Sequence, residues 1–230
     1  MHRDDGLATT PTAGETIADL ELLVITRFLK SNGSLLDLGC GRGRSSVYLN
    51  LQGFDALGVE IDMPTLSHAQ QLNREKGASC QFVRADGRGL CFRDDCFDYV
   101  VSFGSTLSEK YRLWLEKEDR LEIISEAVRV TRSGGIVLVN FVHRYWSFRH
   151  FFSFMKYYAN WASEKFLWRR TEFGDYTEVI GRAPVRFHAF TIREALKLFP
   201  KKGIRLSVWR KHRGLFSDWF FVIARKTADG

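Results

Sequence analysis

The sequence holds no stretch approaching the roughly 18 apolar residues that a membrane span needs, and its first residues lack the basic-then-apolar order of a secretory leader. A cytoplasmic protein is the expectation. Cysteine is scarce, and Cys40, Cys80, Cys91 and Cys96 show neither C-x-x-C spacing nor histidines close by. This argues against a zinc site and a disulfide framework, so no metal is expected and the thiols read as free. Internal repeats and low-complexity tracts are missing as well.

What is present fits one domain over residues 1–230 with a single sheet-centred core better than two independent domains. Hydrophobic residues make up 45% and charged residues 27%, an ordinary globular balance, whereas the aromatic load is high and clustered. The net charge of +7 is uneven: before His143 there are 16 basic and 20 acidic residues, and from His143 onward 18 and 7. The basic C-terminal part can attract an anionic substrate, RNA or an acidic membrane, or serve simply as a solvated face.

Residues 1–13 are polar and without apolar periodicity, which predicts a flexible arm. Within 14–33, Ile17, Leu20, Val24 and Phe28 recur at helical spacing and predict an N-terminal helix from Glu15 to Phe28. Strand and helix signals then alternate: a strand at Ser34 to Leu38, a helix at Ser45 to Gln52, a strand at Phe54 to Val59, a helix at Pro64 to Lys76 and a strand at Cys80 to Arg84. The pattern continues with a strand at Phe97 to Phe103, a helix around Asp119 to Val130, a Gly134-Gly135 turn and a strand at Ile136 to Phe141. Near the end a capped helix at Thr191 to Phe199 precedes strands at Ile204 to Trp209 and Trp219 to Ala224, which should pair antiparallel. The expected fold is α/β and doubly wound.

The alternation does not need residues 143–190. This segment carries eleven aromatic residues between Tyr145 and Trp168 and is predicted to form one or two helices followed by a loop containing Gly181 and Pro184. It reads as a substrate lid, as core or dimer packing, or as a nucleic-acid or membrane surface.

The chemistry concentrates in Leu35-Leu36-Asp37-Leu38-Gly39-Cys40-Gly41-Arg42-Gly43, where the first strand meets the first helix of the alternating pattern. Ligands of open α/β sheets bind outside the carboxyl ends of the strands, and glycines there let the backbone approach closely. A phosphate-binding P-loop is excluded, because the sixth position from Gly39 is Arg44 and no lysine follows it. A dinucleotide loop is imperfect: counting from Gly41, Ser46 stands at the third glycine, which leaves a nicotinamide dehydrogenase as an outlying reading. Asp37 separates the cases, since its carboxylate would repel a pyrophosphate but suits a ligand bearing an ammonium and a sulfonium.

With Asp37 the segment reads D-x-G-x-G-x-G and closely resembles the first motif of the class I (Rossmann-like) S-adenosylmethionine-dependent methyltransferases. The resemblance extends from about Leu35 to Ala224 and implies a mostly parallel seven-stranded sheet with an antiparallel last strand and S-adenosylmethionine as cofactor. It places Asp37, Gly39, Cys40, Gly41 and Gly43 at the cofactor. Glu60, with Ile61 beside it, would take the ribose diol, and Asp86, with Gly87, would take the adenine amine. Phe103 and Gly104 would lie along the methionine half. Asp62 is read instead as the cap of the following helix.

The chain lacks an N-P-P-Y-like run and a Pro-Cys pair, which disfavours base-amino and cytosine-C6 methylation. Methyl transfer needs mainly alignment of the acceptor, with a base only when the acceptor carries a proton. His143 is the candidate base, with Tyr145 as a positioning group, although such a histidine more often simply packs or hydrogen-bonds. The expected activity is methylation of an O or N atom of a small, anionic or aromatic molecule. The alternatives are an RNA or tRNA methyltransferase and a non-catalytic cofactor-binding module.

Overall fold

The computed structural model describes residues 18–30, 32–104, 106–108, 115–144, 155, 159, 161–162, 173–180, 183–211 and 219–228. The alternating elements are α1 (Asp19–Phe28), β1 (Ser34–Leu38), α2 (Arg44–Leu51), β2 (Asp55–Glu60), α3 (Met63–Glu75), β3 (Gln81–Arg84), β4 (Phe97–Ser102), α4 (Lys117–Val130) and β5 (Thr131–Val142). After them come β6 (Asp175–Ile180), β7 (Ala183–His188), α5 (Ile192–Leu196), β8 (Ile204–Trp209) and β9 (Trp219–Lys226). From β1 to α4 the alternating elements fall where the patterning predicts, within a residue or two. Residues 15–17 of the predicted first helix lie outside the described residues. As predicted, Asp62 caps α3, its carboxylate accepting from Thr65 N at 3.1 Å, with Pro64 in the first turn. Among the described residues no helix is long and apolar enough to cross a membrane.

Seven strands form one sheet in the order β3-β2-β1-β4-β5-β9-β8. The first five run parallel, Leu36 lying opposite Leu57 on one side and Val100 on the other, and β9 enters antiparallel between β5 and β8. The order turns outward from β1 in both directions, so β1 and β4 flank the switch point, where a crevice opens at the strands' carboxyl ends. Strand alternation gives the sheet two apolar faces. One packs Leu35, Val101 and Leu138 under α1, α2 and α3, and the other packs Leu36, Val100 and Phe141 under α4 and α5. Each fully buried Leu contributes roughly 1.5–3 kcal/mol, so these faces fix the register that aims the loops.

Three expectations are corrected. The expected loop at the end of the tract after β5 is a hairpin: among the described residues Met155, Ala159, Trp161 and Ala162 are helical, and β6 and β7 pair antiparallel, with Pro184 inside β7. A two-stranded ribbon consists of edges, which tolerate proline, so Pro184 misreports a loop; Gly181 lies outside the described residues. Strand β5 begins at Thr131, because Gly134 at φ +81° and a register shift between Phe97 and Tyr99 let the chain pass through the glycine pair without leaving the sheet. Helix α5 is five residues rather than nine, as Leu198 and Phe199 turn into the core just before Pro200.

Candidate functional site

The loop from β1 to α2 turns on three glycines at positive φ: Gly39 at +72°, Gly41 at +55° and Gly43 at +79°. Their surroundings assign them different tasks. A Cβ at Gly39 would stand 2.2 Å from Thr106 Cγ2, and one at Gly43 would stand 2.8 Å from the Ala69 Cβ of α3, so these glycines permit close packing. A Cβ at Gly41 would meet nothing within 4 Å. Of the three, only this glycine opens on free space, so its backbone could be approached by a ligand.

The acids stand around this loop. Asp37 is 1% exposed, and its Oδ2 accepts from Ser45 Oγ at 2.7 Å and Ser46 Oγ at 2.6 Å. Burial raises its pKa despite those two donors, and the fixed carboxylate ties the strand end to the first turn of α2. Glu60 ends β2 and bridges to the loop, accepting from Gly41 N at 3.1 Å, Ile61 N at 2.8 Å and Asp62 N at 3.0 Å. Its oxygens therefore sit beside the open glycine. The thiol of Cys40 is buried, and burial pushes its pKa up, which makes it a packing group.

Asp86, just after β3, is held below the usual carboxylate range by Arg88, whose Nη2 is 2.6 Å from Oδ2. The same guanidinium reaches Asp119 of α4 at 2.9 Å, so Asp86 belongs to a three-residue ionic bridge that spacing did not suggest. At the neighbouring Gly87 an added Cβ would stand 3.2 Å from Leu38 Cδ1. Phe103 is buried edge-on to Phe221, and Gly104 follows at φ +71°.

Beside Gly104 lies a cavity of about 340 Å³, lined by Leu20 and Glu21 of α1, Arg44, Asn140 of β5, and Trp219 and Phe221 of β9. His143 is buried with its ring edge-on to Phe220 at 5.6 Å, on the face of β9 opposite Trp219 and Phe221. Tyr145 lies outside the described residues. Sequence reasoning missed a buried pair behind the β4 loop: His188 Nδ1 is 2.7 Å from Asp175 Oδ1, and His188 N donates to Ser108 O at 2.7 Å. Only the hairpin register, which sets Asp175 opposite His188, reveals it.

These features fit a nucleoside bearing a cationic sulfonium amino acid: a backbone open at Gly41, an acid at the end of β2 and a buried acid under the loop. Known proteins agree. Residues 35–135 match the methyltransferase domain family. An uncharacterized methyltransferase of Mycobacterium marinum is 33% identical over 135 residues, 56% of this chain and 49% of that protein. A malonyl-[acyl-carrier protein] O-methyltransferase of Salmonella typhimurium is 30% identical over 120 residues, 52% of this chain and 42% of that protein. The chain thus spans less than half the length of these curated relatives. A crystal structure of an S-adenosylmethionine-dependent methyltransferase from Methanosarcina mazei superposes with a TM-score of 0.71 at 22% identity, over 89% of this chain and 97% of that one, and shares the fold. The glycine loop and the matched segment make residues 35–135 similar to the methyltransferase domain family, and the strand order is that of the fold shared with the Methanosarcina mazei structure.

Proposed function

We propose that this protein transfers the methyl group of S-adenosylmethionine to an O or N atom of a small molecule seated in the cavity beside Gly104. The observation that carries the reading is the open backbone at Gly41, with the Glu60 carboxylate 3.1 Å from its nitrogen at the mouth of the sheet. When bound, the cofactor supplies an electrophilic sulfonium methyl. Gly41 and Gly104 give it backbone walls, Glu60 accepts from its ribose, Asp86 accepts from its adenine amine, and buried Asp37 holds the loop in shape.

The cavity volume of about 340 Å³ lies at the lower end of small-molecule sites and supports a compact acceptor. Trp219 and Phe221 supply apolar walls, while Asn140 and Arg44 supply the polar contacts that orient it. Catalysis in this reading is mainly alignment. His143, packed on the far side of β9, does not serve as the base.

The test is calorimetry with S-adenosylhomocysteine and with NAD, followed by transfer of labelled methyl to pooled metabolites and to RNA. Binding of S-adenosylhomocysteine but not NAD, with label in the small-molecule fraction, is the expected result. Label confined to RNA, or binding without transfer to any pool, overturns the acceptor assignment.

A further inference from the structure

Far from the glycine loop, α5 and the edge strand β8 enclose a surface groove of about 850 Å³. Its floor is apolar: Ile192, Leu196, Ile204 and Leu206 are half-buried and rest on the core cluster under α4 and α5. Its rim is cationic, since Arg193, Lys197 and Lys201 recur every four residues and are all exposed. From Ile192 to Lys211 the chain carries seven basic residues and one acid, Glu194. That acid is already committed, accepting from Thr191 N at 2.8 Å and pairing with Arg144 at 2.6 Å. Among the described residues, Arg193, Lys197 and Lys201 form no ion pair.

We propose that this groove docks an acidic amphipathic helix of a partner protein. The occupant follows from shape and charge together. A concave apolar floor receives a projecting ridge of aliphatic side chains, which one face of a helix presents at every third or fourth residue. Carboxylates flanking that ridge meet the cations along the rim. A lipid surface needs apolar groups that protrude, whereas here they are recessed between the cations. A nucleic acid needs an exposed ring to stack on, and the one aromatic residue in the groove, Phe199, is buried. The site is independent of the cofactor loop and of the identity of the methyl acceptor.

The test uses the full chain and a fluorescent synthetic helical peptide with a leucine ridge flanked by glutamates, read by anisotropy at low salt. The comparison probes are a scrambled peptide of the same composition, phosphatidylglycerol vesicles and single-stranded RNA. The proposal expects the helical peptide to bind more tightly than its scramble and to weaken with salt. It also expects the Arg193→Glu/Lys197→Glu/Lys201→Glu variant to lose at least about tenfold in affinity while keeping its melting temperature and its binding of S-adenosylhomocysteine. If the triple variant melts early, single Lys197→Glu and Lys201→Glu variants carry the comparison. Equal binding of peptide and scramble, an affinity untouched by charge reversal, or reversal-sensitive binding of vesicles or RNA in place of the peptide overturns it.

Discussion

Arg44 grips both carboxylate oxygens of Glu21, with Nη2 2.7 Å from Oε1 and Nη1 on Oε2. Arg44 opens α2 directly after the last loop glycine, and Glu21 is 4% exposed within α1. The N-terminal helix is therefore latched to the glycine loop by a bidentate ion pair beside the 340 Å³ cavity. Replacing Glu21 with Ala removes this bidentate pair from a largely buried guanidinium. Urea unfolding should show a loss of about 3 kcal/mol, and S-adenosylhomocysteine affinity should fall with it. An unchanged transition would show that the latch is dispensable.

Gly39→Ala and Gly41→Ala should separate packing from ligand access. Both place a side chain at positive φ, at a cost of roughly 1–2 kcal/mol, but only the Gly39 methyl collides with Thr106. Differential scanning fluorimetry should show the lower melting temperature for Gly39→Ala. Calorimetry should show that Gly41→Ala, though more stable than Gly39→Ala, binds S-adenosylhomocysteine poorly.

Asp37 carries a pH signature. Its folded pKa is raised by burial, so the fold favours the neutral carboxyl. That contribution is complete below the unfolded value of 3.8 and is lost as pH rises through the folded value. Relative to Asp37→Asn, the ligand-free parent should be most stable in acid and lose ground toward neutrality. A stability difference that stays flat across a pH series of urea unfolding curves would contradict this.

Asp175 and His188 pair across the β6–β7 hairpin, which His188 N joins to the loop after β4, and both are at least 95% buried. Asp175→Ala should cost about 2 kcal/mol by removing the hydrogen bond to Nδ1 of a buried imidazole. Hydrogen exchange should then quicken first in the hairpin, while the glycine loop keeps its protection.

How much of this was legible depended on the range of the interaction. Alternation and glycine punctuation located β1, α2, β2 and α3, because each is decided by neighbours within a few residues. The cap at Asp62 and the turn at Gly39 to Gly43 follow the same local rules. The Glu21–Arg44 latch joins residues 23 apart, and the Arg88 bridge to Asp119 joins residues 31 apart, distances at which periodicity carries no information. The β6–β7 hairpin was hidden for another reason: its strands mix charged with apolar residues and include Pro184, so composition resembles a loop until register is known.

The placement of β9 between β5 and β8 bears on how the molecule is made. Among the described residues strand β8 has only β9 as a neighbour in the sheet, so it leaves the ribosome before the strand it pairs with, Trp219–Lys226. Until then β5 presents a bare apolar border to the crowded cell. A nonsense mutation ahead of Trp219 would leave that border permanently open and send the truncated product toward inclusion bodies or proteolysis.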